Sequence, residues 1–272
     1  MISIICAFND EKVLEACLLK SLKDQATDCE IIAINNTENQ FKSAAEALNW
    51  GGTQAVGDYL MFVHQDVDLR SDSWLESTEA LLDSLPDLGI AGVAGISEHG
   101  GPFAERCSNT IHHRPQARYR NVITQGPQMD RWGTPIREPE PVQTVDECLV
   151  IIPKSVFKIM QFDEVTCDGW HLYAADYCLS VAAQGFSVYA IPKCIHHQSK
   201  GYDEKNALGV IASLGLHPNE YYCTLEHVLK KHKDRYKWIH TSCGSWNTLY
   251  PLKLQRFHLA LKHVILSLLI RS

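Results

Sequence analysis

The sequence predicts an α/β protein with a mostly parallel central sheet flanked by helices. Three observations carry this. Through the first hundred residues, apolar runs of strand length alternate with segments of helical length. The runs are apolar almost throughout, as in strands covered on both faces. Helix-starting and helix-stopping residues separate them.

Residues 2–7 read as the first strand, and residues 10–23 as a helix capped by Asn9 or Asp10. Residues 31–34 form a second strand, followed after "NNTEN" by a helix over about 41–56. Residues 59–63 are the third strand. Ser73 and Glu76 have the spacing of a capping box and open a helix that stops near Pro86. Residues 89–94 are a fourth strand. From 97 to 144 the periodicity fades, while six prolines and six arginines punctuate the stretch. So long a connection reads as a binding loop or lid. Order resumes at 148–152, where Pro153 can start a helix, and a second helix over 172–184 ends at Gly185. A strand at 187–191 and the segment "HHQSKG" follow.

The chain has 272 residues, 45% hydrophobic and 21% charged, enough for one large domain or a domain with an appendage. Its ten cysteines include no CxxC pair, and Cys6, Cys17, Cys148 and Cys178 sit in apolar runs as free thiols do. No signal-peptide pattern opens the chain, so the expectation is a reduced, cytoplasmic protein. Net charge is −7 and unevenly spread: nine Lys/Arg against three Asp/Glu from Asn219 onward make that segment +6 and leave −13 for residues 1–218. The acidic body argues against a nucleic-acid partner. The basic, partly apolar extension at 219–272 has no run long enough to span a bilayer. Its 229–272 portion fits either peripheral contact with an anionic membrane or a helix docked on the core or on a second subunit.

The chemistry-bearing residues cluster after strand ends, where open α/β sheets bind ligands. In "FVHQDVDL", Asp66 and Asp68 follow the third strand. If that strand continues, both carboxylates share one side, about 6–7 Å apart, and a divalent cation relieves their repulsion. A solvated turn is the plainer reading of an isolated DxD. Asp176 falls within an apolar stripe of its helix with Leu172, Leu179 and Ala183. Such a carboxylate faces a wet cleft as a proton acceptor or is a structural Asp bonded to a nearby amide. His196 and His197 follow a strand and suit a metal or a phosphate, as well as an ordinary loop. Trp170 and His171 suit a sugar face or simple packing. Neither GxGxxG nor GxxxxGK[ST] occurs, which disfavours a dinucleotide-binding or P-loop enzyme. There is no GxSxG elbow for a hydrolase either.

Taken in order, these segments resemble a family 2 glycosyltransferase of the GT-A fold. "ISIICAFNDEKVLEACLLKSL" resembles its opening strand and helix, and "EIIAINNTEN" its nucleotide-contacting turn. "FVHQDVDL" resembles its DxD element in a bacterial His-Gln form, and "VDECLVIIPKSVF" its acceptor-side strand and helix. "GWHLYAADYCLSVAAQGFSVYAIP" resembles the catalytic helix, and "HHQSKG" the closing His-x-Ser-x-Gly. The resemblance covers roughly 1–205 of a domain placed at 1–218. It implies an inverting, metal-dependent transfer of a sugar from a nucleotide-sugar donor to the hydroxyl of a saccharide or lipid-linked saccharide, as in bacterial surface polysaccharide or glycoconjugate synthesis. It further implies Mn²⁺ or Mg²⁺ held by Asp68 and His197, with Asp66 at the ribose and metal-bound water. Ala7, Asn9 and Asn36 would line the nucleotide, Trp170 and His171 the sugar pocket, and Asp176 would be the base. Two departures stand out: Asn35 and Asn36 replace a base-contacting Asp, and Ala175 replaces the acid preceding the catalytic Asp. An inactive GT-A-like domain that only binds saccharide or a partner is the alternative.

Overall fold

In the computed structural model, residues 1–97, 134–198 and 217–270 are described, with two short strands at 118–120 and 122–124; side chains are described through residue 261 outside those two strands. Most of the expected 97–144 lid, and Ser199 and Gly201 of the closing motif, lie outside the described residues.

The chain opens with β1 (Ile2–Phe8) and α1 (Glu11–Leu14), which passes through a π-helical turn at Glu15–Leu19 into α2 (Lys20–Lys23). Asp10 caps this helix by accepting from the Lys12 and Val13 amides. β2 (Glu30–Asn35) leads to α3 (Ala44–Gln54), which starts later than the expected 41. The reason is a cap at Ser43: its hydroxyl accepts from the Glu46 amide while the Glu46 carboxylate accepts from the Lys42 amide. β3 (Tyr59–Val63), β4 (Val67–Leu69) and α4 (Trp74–Asp83) follow. The capping box expected at Ser73 does not form. Ser73 makes no side-chain cap bond, and the Ser77 hydroxyl donates to its carbonyl instead.

β5 (Leu88–Gly92), β6 (Ala94–Ile96), β7 (Arg118–Arg120), β8 (Val122–Thr124), β9 (Glu140–Pro141), β10 (Thr144–Val145), β11 (Leu149–Pro153) and α5 (Lys154–Ile159) come next. α6 (Tyr173–Ala183) ends as expected at Gly185, whose φ of +93° lets the Gly185 and Phe186 amides reach the Ala182 and Val181 carbonyls. β12 (Ser187–Ala190), β13 (Ile195–His197), α7 (Asn219–His232), the hairpin β14 (Trp238–Thr241) and β15 (Gly244–Asn247), and α8 (Leu252–Ile270) complete it. The extension expected to be helical therefore also carries a β-hairpin.

The main sheet runs β2-β1-β3-β11-β5-β12-β9. Its strands β2, β1, β3, β5 and β12 point one way, with β11 and β9 antiparallel to them. Alternating side chains feed two apolar layers, as the period of two requires. Ile5, Phe62, Val150 and Ile152 pack with α3, α5, α6 and α7. Ile4, Met61, Leu149 and Ile151 pack with α1, α2 and α4. Because Tyr221, Leu225 and Val228 of α7 share the first layer with α6, the segment after 218 is built into the same core. Burial also keeps the Cys178 thiol inert, pushing it up to about 12.

Candidate active site

The parallel strands β1, β2 and β3 end at one rim of the sheet, and β11, running the other way, begins there. Residues that follow the first three and precede the last therefore meet. After Val63 the chain turns rather than continuing as a strand, with the Val67 amide donating to the His64 carbonyl at 3.3 Å. Asp66 lies in this turn and Asp68 in β4, which pairs with β13 in a separate small sheet. The expectation that both aspartates extend from β3 on one side is thereby corrected.

The two carboxylates take different partners. Asp66 Oδ1 lies 3.2 Å from His197 Nε2. Asp68 Oδ2 lies 3.2 Å from His196 Nδ1 and accepts from Gln198 Nε2 at 2.7 Å. Asp68 and His197, expected to hold one ion together, take different partners, because Asp68 is in register with His196 across the β4–β13 ladder. The missing member of the cluster is His64. One ligand atom each from His64, Asp66 and His197 lies within 4.8 Å of the others. Two imidazole nitrogens and one carboxylate oxygen are a donor set for a divalent first-row ion. Burial lowers the His64 pKa, with the charge of His197 acting in the same direction. Burial pushes Asp66 up, but the hydrogen bond and charge of His197 leave it below the usual carboxylate value.

Gln65 locks this turn to the opening one. Its Oε1 accepts from the amides of Asn9 and Asp10, and its Nε2 donates to Asn9 Oδ1 at 2.8 Å. Ala7 and Asn9 thus stand at the same rim as the cluster. Asn36 stands there too, but it is 5% exposed and its Oδ1 accepts from the Phe41 amide, closing its own loop.

The acidic pair Asp146–Glu147 enters from the start of β11. The Tyr173 hydroxyl donates to the Glu147 carbonyl at 3.2 Å and lies 3.5 Å from His64 Nε2. The Glu147 carboxylate sits against the start of α6, where the amides of Leu172, Ala174 and Tyr173 act on it. Leu172 lacks a side-chain cap bond and adopts a left-handed φ of +65°, so Glu147 supplies from another element the carboxyl that faces the amides of this helix N-terminus. Burial first, then the charge of Asp146, push Glu147 up to about 8. Its Oε1 has no hydrogen-bond partner among the described residues.

Asp176 is placed elsewhere. It is 1% exposed, accepts from Lys231 Nζ at 2.7 Å and lies 2.8 Å from His232 Nε2. Lys231 also donates to Asp163 at 2.9 Å. These groups line a cleft of about 420 Å³ whose walls include none of His64, Asp66 and His197. Trp170, about one-third exposed, and His171 precede α6; the His171 ring lies 5.8 Å from that of Tyr221.

A rim of this kind on a mixed α/β sheet of this order, covered by helices on both faces, is that of a GT-A domain. The chain belongs to a glycosyltransferase family: the model described as "Glycosyltransferase like family" matches residues 3–207. Among solved structures, the mannosyltransferase PcManGT from Pyrobaculum calidifontis, in complex with GDP-Man and Mn²⁺, is 11% identical with a TM-score of 0.52, over 87% of this chain and 65% of that one. GalNAc-T7 with UDP, GalNAc and Mn²⁺ is 11% identical with a TM-score of 0.51, over 73% of this chain and 44% of that one. At that identity the likeness is one of fold. A curated relative from Fuscovulum blasticum, "ATP synthase subunits region ORF 6", is 28% identical over 185 residues, 65% of this chain and 66% of its own length. The chain thus spans about two thirds or less of each of these proteins.

Proposed function

We propose that the protein transfers a sugar from a nucleotide-sugar donor to an acceptor hydroxyl, with inversion, at a divalent ion held by His64, Asp66 and His197. The convergence of these three side chains at the strand-end rim carries this reading. Two fold neighbours that contain Mn²⁺ beside a nucleotide or nucleotide-sugar support it. Two nitrogen donors favour Mn²⁺ over Mg²⁺, which prefers oxygen ligands and its own waters. When bound, the ion neutralises charge on the departing diphosphate. Asp68 keeps the rim in register by holding His196 and Gln198. Ala7 and Asn9 line the nucleotide side, with Asn36 shaping the loop beneath; Trp170 and His171 stand on the sugar side. A saccharide or lipid-linked saccharide acceptor, as in bacterial surface polysaccharide assembly, follows from the resemblance of the motifs.

We assign acceptance of the acceptor proton to Glu147. Asp176, the expected base, is engaged by Lys231 and His232 in a cleft apart from the cluster, whereas Glu147 adjoins the cluster with an unpartnered oxygen. Once ionised, a carboxyl with a raised proton affinity is the better proton acceptor. The test is turnover of a nucleotide-sugar panel with and without EDTA. Activity lost on chelation and restored by Mn²⁺ supports the reading; full activity after chelation refutes it.

A further inference from the structure

α8 is apolar on two faces. Leu252 and Leu259 pack inward on the core, while Gln255 is hydrogen-bonded to Asn247 and the Arg256 guanidinium lies 3.9 Å over the Tyr222 ring and donates to Asn219. This docks the first turns of the helix firmly. On the other side, Leu254, Phe257 and Leu261 are 62%, 68% and 45% exposed, and Leu249 and Tyr250 just before the helix are 67% and 63% exposed. At 100° per residue the three helical positions fall within an arc of about 60°. Lys253 falls on one flank of this arc, and the sequence beyond residue 261 is rich in apolar residues and adds Lys262 and Arg271. From residue 235 to 272 there are six Lys/Arg and no Asp or Glu.

We propose that this outward face of α8 seats the protein on an anionic lipid bilayer. An outward apolar stripe beside Lys253, in a segment that carries only basic charges, matches the interface of a membrane, where apolar side chains enter the acyl boundary and cationic groups meet anionic headgroups. A second copy seated face to face through the same helix is disfavoured, because it presents the same acid-free, positively charged segment. No helix among the described residues is long and apolar enough to cross a membrane, so the contact is peripheral. The inference stands independently of the transfer reaction.

The experiment is co-sedimentation of the full chain with phosphatidylglycerol–phosphatidylcholine vesicles and with phosphatidylcholine alone. Binding to the anionic vesicles, weakened by salt, is expected. The variant Leu254→Ser/Phe257→Ser/Leu261→Ser is expected to lower the bound fraction at least about 10-fold, given three exposed apolar side chains removed. Its melting temperature should match the wild type, since none of the three is buried. Absence of binding to anionic vesicles, or binding unaffected by the triple variant, overturns the proposal. So does a dimer, measured by light scattering, that the same variant dissociates while vesicle binding is absent.

Discussion

His197 Nε2 lies 3.2 Å from Asp66 Oδ1, so the end of β13 is joined to the turn that follows β3. At the proposed metal site, His197→Ala and Asp66→Asn should each weaken Mn²⁺ binding by at least about 10-fold, and His64→Ala should do the same. Asp68→Asn weakens it far less, because Asp68 engages His196 and Gln198 instead. Titration of Mn²⁺ followed by electron paramagnetic resonance checks this. Equal losses from Asp68→Asn and Asp66→Asn would return Asp68 to the ligand set.

Asp176→Asn and Glu147→Gln should separate structure from chemistry. Removing the charge of Asp176 leaves Lys231 and His232 without their buried partner, a loss of about 3 kcal/mol or more. Denaturant unfolding would read this as a lower midpoint, with turnover per folded molecule largely kept. Glu147→Gln should leave donor binding intact and reduce transfer by at least about 100-fold, in the range of a lost general base. The reverse pattern would make Asp176 the base.

Glu147 also sets a pH dependence. Its carboxyl, normally near 4.5, holds its proton up to about 8 in the folded protein because burial disfavours the charged form. Between those values the unfolded chain binds fewer protons than the folded one, so this group's contribution to stability falls as pH rises through that window. Glu147→Gln should therefore show a smaller decline in melting temperature from pH 5 to 8 than the wild type. Parallel curves would mean that the group titrates normally.

Asp163 acts in the opposite sense. Burial pushes it up, but Lys231 and the Thr166 amide and hydroxyl outweigh that and hold it well below the usual 3.8. Its stabilising contribution is complete above 3.8 and is lost as pH falls through the lower folded value. Lys231→Met should flatten the acid limb of the stability curve, a difference readable by calorimetry between pH 2 and 5. An unchanged acid limb would show that Lys231 does not hold Asp163 down.

Gly52 on α3 has no room for a methyl group: a Cβ there would stand 2.6 Å from the Phe157 ring and 3.2 Å from that of Phe62. Alanine gains about 1 kcal/mol of helix propensity, but overpacking against two core rings costs about 1–3 kcal/mol. Gly52→Ala should lower the melting temperature, and a rise would show that Phe157 can give way.

Much of the fold was legible because apolar runs and caps are local signals. Residues 59–63 match β3, and Gly185 ends α6 as the sequence implies. The two Ser-x-x-Glu spacings, at 43–46 and 73–76, show the limit: the pattern is the same, yet only Ser43 caps, because Ser73 has a backbone with φ −96° and ψ 17° rather than an extended one. His64 was visible beside Asp66 and Asp68, but a lone histidine after a strand carries no ligand signature. Asp146 and Glu147 were hidden for a different reason. They precede a strand, and only knowing that β11 runs antiparallel puts the start of a strand beside the ends of others. The binding of Asp176 to Lys231 and His232 spans more than fifty residues and leaves no local trace.

The late arrival of β11 bears on how the chain is made. β3 and β5 find their shared neighbour only when residues 149–153 are available. A nascent chain of the first hundred residues holds strands whose edges lack a partner, with Phe62 and Ile90 ready to template association with other chains. Shortened versions ending before residue 149 should therefore form inclusion bodies, while those that retain β11 have the strand needed to close the gap.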